Sequence, residues 1–198
     1  MTELAQLPMF QGVTGRVHPI TQVGHPVLST PCEPVAAFDE ELIQLIADMF
    51  ASMYAAQGVG LAANQISVNR RVFVYDCPDD DHVRHQGVVI NPTLQPQPVA
   101  ARNLDEDEEG CLSVLGQHAL LARPDQAEVA GFDHTGAPIT VRGDGLLARC
   151  LQHETDHLNG MLYIDRLPAK VRRKILKAHA AGESDGEFVR PETDETSH

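Results

Sequence analysis

The chain has 198 residues, 42% of them hydrophobic, and a formal net charge of −13. That length suits a single domain with a real core, and the acidity argues against nucleic acid as a ligand, since phosphate contact needs a basic face. No apolar run approaches the roughly eighteen residues of a membrane span, and Met1-Thr2-Glu3-Leu4 lacks the basic and apolar parts of an export signal. Cys32, Cys77, Cys111 and Cys150 show no CxxC spacing, so they read as free thiols or a metal ligand in a cytoplasmic protein.

Residues 1–38 are rich in Pro and read as an irregular arm. Asp39 caps a helix expected over Glu40–Gln57, where Leu42, Ile46, Met49, Phe50 and Met53 recur at helical spacing. Gly58 is its expected stop. Gly58-Val59-Gly60-Leu61-Ala62-Ala63-Asn64-Gln65 reads as a loop packed tightly on the core, with little side-chain bulk and one chemically useful group, Gln65. Residues 71–75 and 88–90 are strands, joined by a polar connection over 79–86, and Asn91-Pro92 is expected to end the second. Asp105 to Glu109 form five carboxylates in a row, read as a solvated acidic loop except at Glu109, which adjoins Gly110-Cys111. Residues 119–122, 127–132 and 138–142 are short strands, the last two joined by a turn at Asp133–Gly136.

Asp144 caps the next helix, and Asn159-Gly160 ends it. On it lie His153 and His157, one turn apart on one face, with Glu154 directly after the first. Such a pair can grip one metal ion, and the intervening carboxylate can reach a bound water as general base. Cys111, far off in sequence, suits a third ligand from a strand. Two imidazoles and a thiolate leave one position open, the mark of a catalytic site. Met161–Ile164 reads as one more strand, and Pro168 suits the first position of a last helix. Lys170, Arg172, Arg173, Lys174 and Lys177 on that helix form a basic stripe, and residues 182–198 read as an acidic, disordered tail beyond one domain over 1–181.

Three segments coincide: Gly58–Gln65, Glu109-Gly110-Cys111-Leu112-Ser113 and Gln152-His153-Glu154-Thr155-Asp156-His157-Leu158. In order and spacing they resemble the three motifs of bacterial peptide deformylases, over roughly residues 15–180. The resemblance implies an α+β fold. In it a central metal-binding helix packs among antiparallel β-sheets, with an N-terminal and a C-terminal helix. It implies hydrolytic removal of formyl from the N-terminal formylmethionine of newly synthesised polypeptides. It further implies Cys111, His153 and His157 as metal ligands, Glu154 as general base and acid, and Gln65 with the Leu112 N–H as oxyanion hole. The implied metal is Fe²⁺, with Zn²⁺, Ni²⁺ or Co²⁺ as substitutes. Gly58 and Gly60 would let an extended peptide lie against this edge, beside Gly110, while Val59, Leu146 and Cys150 would line a pocket for the methionine side chain. Glu109 is expected to pair with Arg123 and brace the Cys111 strand; exposed, such a pair is worth little.

The chain departs from the family pattern at Asn64 and Leu115, usually Pro, at His118, often Arg, and at Arg149, often aliphatic. Arg149 is expected either to touch the peptide or to salt-bridge outward. Nascent formylmethionyl peptides are the expected partners, and the basic stripe over 170–177 offers a contact with the RNA-rich ribosome. Neither a membrane nor specific DNA is expected. A general HExxH protease would need a downstream carboxylate ligand, and the nearest, Glu183 and Glu187, fall in the tail. A chain that merely binds metal would need neither Gln65 nor Glu154.

Overall fold

A computed structural model describes residues 13–96 and 103–184. The N-terminal helix, α1 (Glu40–Ala55), starts where the cap predicts: the Asp39 carboxylate accepts the Leu42 N–H at 3.0 Å. It stops two residues short of the expected Gln57. Gln57 itself takes the left-handed turn (φ 57°), and the Gly58 N–H reaches back to Met53 O at 2.9 Å. This is a Schellman closure with glutamine in the place glycine usually holds. Leu42, Ile46, Met49, Phe50 and Met53 are fully buried, each worth about 1.5–3 kcal/mol of transfer free energy.

A five-stranded antiparallel sheet is ordered β1-β2-β3-β6-β7, and β4 and β5 form a separate two-stranded ribbon. The members are β1 (Gly60–Ala62), β2 (Val72–Pro78), β3 (Arg84–Leu94), β4 (Leu104–Gly110), β5 (His118–Pro124), β6 (Gln126–Phe132) and β7 (Pro138–Asp144). Four expectations are corrected here. Part of the glycine-rich loop is a strand, β1, paired with β2 from Gly60↔Tyr75 to Ala62↔Phe73. Asn91-Pro92 does not end β3: Asn91 adopts φ 51°, the register shifts between Ile90 and Thr93, and the strand continues. The Asn91 side chain pairs with both the N–H and the C=O of Val35, holding the arm on the kink. The acidic run is a strand, β4, because its backbone pairs residue for residue with β5 while four of its carboxylates stay in water. Finally, Met161–Ile164 forms no strand; a 3-10 turn spans Tyr163–Arg166, closed by the Asp165 carboxylate on the Leu162 N–H.

The second helix, α2 (Gly145–Leu158), runs through the middle of the molecule against β1, β2, β3, β6 and β7. Leu147, Leu151 and Leu158 pack among Phe73, Val89 and Val129 of the sheet. Asp144 precedes it, but its carboxylate takes the Asp80 N–H instead of capping the helix. Gly160, at φ 75°, closes its C-terminal end. The last helix, α3 (Ala169–Ala180), begins one residue later than expected, with Pro168 just outside it, and Ile175 is its one buried residue. Among the described residues, no helix is long and apolar enough to cross a membrane. The expected tail lies outside the described residues from 185 on, while Glu183 packs close enough for its carbonyl to accept from Gln117.

Candidate active site

The histidines of α2 face the end of the β4–β5 ribbon. His157 Nε2 lies 3.2 Å from both Cys111 Sγ and His153 Nε2. Among the described residues, Cys111, His153 and His157 form the one group of three donors that could hold a metal ion, with ligand atoms all within 4.8 Å of each other. Two nitrogens and a sulfur so close, all turned inward, match the donor set of an open tetrahedral centre. Burial drives the His157 pKa well below its ordinary value, which favours the neutral, ligating ring. For His153, burial acts the same way but is outweighed by contacts with Cys111 and Glu109, so its pKa rises. Glu109 accepts His153 Nδ1 at 2.7 Å, which turns Nε2 toward the sulfur.

Glu109 is not exposed. Its side chain and that of Arg123 are 3% and 4% accessible, joined by bonds of 2.6 and 2.7 Å. Burial alone would raise the Glu109 pKa; hydrogen bonds from Arg123 and His153 outweigh it and hold the carboxyl well below its ordinary range. Arg123 also reaches Asp156 on α2 at 3.0 Å. The expected pair is therefore present and buried, and a buried pair of this kind is expensive to break, where an exposed one would be worth little.

Glu154 is buried, and its Oε2 has no hydrogen-bond partner among the described residues. Desolvation raises its pKa to about 7. A carboxylate left unpaired beside three ligand atoms fits a centre completed by a metal and water. A Cβ on Gly60 would come within 2.5 Å of Glu154 Oε1 and 2.7 Å of Cys150 Sγ, so a larger residue there would have to displace one of these side chains. Gln65 is fixed by its carbonyl, which accepts the Ala62 N–H at 2.9 Å; its amide N–H₂ therefore faces Cys111 Sγ at 3.6 Å and Ser113 Oγ at 3.2 Å. Gln22 Nε2 donates to Leu112 O at 3.0 Å, which holds the Leu112–Ser113 peptide, next to the one that carries the Leu112 N–H.

A cavity of about 710 Å³ opens over this cluster, and Val59, Gly60, Gly110, Leu146 and Cys150 all line it. The sequence missed three features. Asn64 is fully buried and donates to His157 O at 2.6 Å, so this departure ties its loop to the ligand helix. Arg149 makes the expected outward salt bridge, to the exposed Asp105 at 3.3 Å, and it also turns inward to the buried Glu109 at 3.0 Å, a partner the sequence did not show. The arm, read as irregular, hydrogen-bonds to all three motif segments: Thr21 to Gln65, Val23 to Ser113 and Cys32 to Leu158. Only the first two had a usable signal, a polar residue in an apolar loop and a cation at i−4 from a ligand.

The polypeptide deformylase family model matches residues 17–173. Peptide deformylase 1 of Streptomyces avermitilis is 59% identical over 169 residues, covering 85% of this chain and 78% of that protein. The peptide deformylase of Mycolicibacterium smegmatis is 52% identical over 171 residues, covering 82% and 87%. The crystal structure of a peptide deformylase from Legionella pneumophila superposes with a TM-score of 0.75 at 39% identity, over 84% of this chain and 95% of that one. The α+β fold, the Cys-His-His cluster and these relatives agree: the chain belongs to the peptide deformylases, metallohydrolases that remove the formyl group from the N-termini of newly made polypeptides.

Proposed function

We propose that deformylation by this chain runs through Cys111, His153 and His157 as metal ligands, Glu154 as general base and acid, and Gln65 with the Leu112 N–H as oxyanion hole. The observation that carries this reading is the unpaired, buried Glu154 carboxylate beside the three-donor cluster. When bound, the metal polarises the formyl carbonyl and brings the pKa of water toward ~7. Glu154 takes the proton of the attacking water as its oxygen adds to the formyl carbon. The negative charge that develops on the carbonyl oxygen faces the Gln65 amide, whose orientation the Ala62 N–H fixes in advance. Glu154 then delivers its proton to the leaving nitrogen, the C–N bond breaks, and formate and a free amine depart. A pKa near 7 suits a group that must both accept and return a proton at neutral pH.

The peptide lies along β1, which is an edge strand of the sheet and lines the cavity. Val59, Leu146 and Cys150 take the methionine side chain, with Gly60 and Gly110 giving the backbone room. The donor set of one soft thiolate and two imidazoles admits several divalent ions; family resemblance favours Fe²⁺, with Zn²⁺, Ni²⁺ or Co²⁺ as substitutes. Cys111→Ser is expected to abolish metal binding and formate release from a formyl-Met peptide. Full metal content and activity in that variant would sink the assignment and leave room for a general protease.

The cytoplasm is where formylated nascent chains are made, and we place the protein there. On α3, Lys170, Arg173, Lys174 and Lys177 are exposed, a basic surface in a chain of net charge −13. It supports contact with ribosomal RNA. Cosedimentation with ribosomes should weaken as salt rises; negligible cosedimentation at low salt would remove this partner.

A further inference from the structure

Arg149 lies one helical turn before His153, and its side chain is 9% accessible. Its nitrogens reach both strands of the ribbon. Nη1 donates to Glu109 Oε2 at 3.0 Å and to Leu121 O at 2.9 Å; Nη2 donates to Asp105 O at 3.1 Å and Asp105 Oδ2 at 3.3 Å. Asp105 and Glu109 are at opposite ends of β4, and Leu121 is on β5 opposite the Asp107 between them. One guanidinium thus spans the ribbon from the middle of α2. Four of its five N–H groups are committed in this way, which leaves only Nε–H for a ligand in the cavity that Arg149 also lines.

The electrostatics favour the same role. The buried carboxylates of Glu109 and Asp156 meet the two buried guanidiniums of Arg123 and Arg149. Arg123 links the ribbon to α2 at Asp156, beside the second histidine; Arg149 links it one turn before the first. With the His153–Glu109 bond and the Gln152 Nε2–Pro124 O bond, these ties are spread along α2 from Arg149 to Asp156, and together they fix the tilt of the ribbon. Cys111 follows Glu109 by two residues, so that tilt sets where its sulfur sits relative to both imidazoles.

We propose that Arg149 is a positioning residue for the metal centre, a fork that fixes the β4–β5 ribbon on α2 and thereby holds Cys111 in register with His153 and His157. This rests on the ligand assignment above. In Arg149→Met the apolar stem remains and the fork is lost. The Zn²⁺-loaded variant should surrender its metal to a chelator about tenfold to a hundredfold faster than wild type. Its kcat should fall while KM for a formyl-Met peptide changes by less than about twofold, since the cavity wall is preserved. Arg149→Lys keeps the buried charge, which guards against a fold failure in the Met variant; a single ammonium cannot span both strands, so its metal loss should fall between the two. A folded variant of either kind with wild-type kcat and wild-type metal loss overturns the proposal, whatever its melting temperature. So does an effect confined to KM, which would make Arg149 part of the side-chain pocket. A wild-type protein that holds no metal would instead remove the ligand assignment beneath it.

Discussion

Helices α1 and α2 are both buried, yet they bury opposite chemistry. The core-facing residues of α1 are mainly Leu, Ile, Met and Phe, and its two buried polar groups, Asp48 and Ser52, are met by Arg16 and His18 of the arm. The inward face of α2 is divided: leucines meet the sheet, Arg149, His153, Asp156 and His157 turn to the ribbon and the Cys111 that follows its first strand, and the Glu154 carboxylate lies against Gly60 of β1. Every buried charge on α2 except Glu154 is answered by another chain segment. The difference separates stability from function. An apolar helix contributes to the folded state and little else, whereas a charged buried helix is retained at some cost in stability because its groups act.

Three variants test that contrast. Glu154→Gln removes the unpaired acid while keeping its shape. It should lower kcat by about 10²–10⁴ with metal content unchanged; metal loss in this variant would mean that Glu154 also shapes the centre. Glu109→Gln places an amide N–H₂ among guanidinium donors and should destabilise the fold by about 3–5 kcal/mol. It should also alter the acid response. The folded Glu109 carboxyl titrates below its ordinary range, whereas the unfolded chain takes up that proton near pH ~4.3. Its stabilisation is complete above the unfolded value and is lost as pH falls below it. Wild-type Tm should drop below that pH, and Glu109→Gln should start lower and drop less; parallel curves would show that Glu109 does not govern acid stability. Ile46→Val, on α1, should cost only about 0.5–1.5 kcal/mol and leave kcat as it was. A kcat effect there would break the division between the helices.

What could be read from the sequence follows the same division. The stripe on α1 and its Asp39 cap were plain because periodicity and capping are local. The three site segments were plain because ligand spacing, small residues and one amide in an apolar loop each point to chemistry. The β4 strand was hidden: Asp105 to Glu108 are all exposed, so no alternation of apolar and polar marks a pleat. The inward partner of Arg149 was hidden for a related reason. The cation stood out at i−4 from His153, but Glu109, the carboxylate it meets, lies 40 positions away. Met161–Ile164 looked like a strand because the run is apolar; burial it has, but Asp165 folds it into a turn.

The arm bears on how the molecule comes into being. Gln22 donates to Leu112 O across 90 positions, Cys32 donates to Leu158 O, and Val23 donates to Ser113 O. These groups of the arm are therefore satisfied by segments made much later. Contacts so distant in sequence close slowly, because loop entropy must be overcome before they form. Helix α1 can form early from its own residues, but the catalytic geometry cannot. Its three motif segments are laced together by an arm that must wait for Leu158 to emerge, so maturation of the site is a late event and the arm is its fastening.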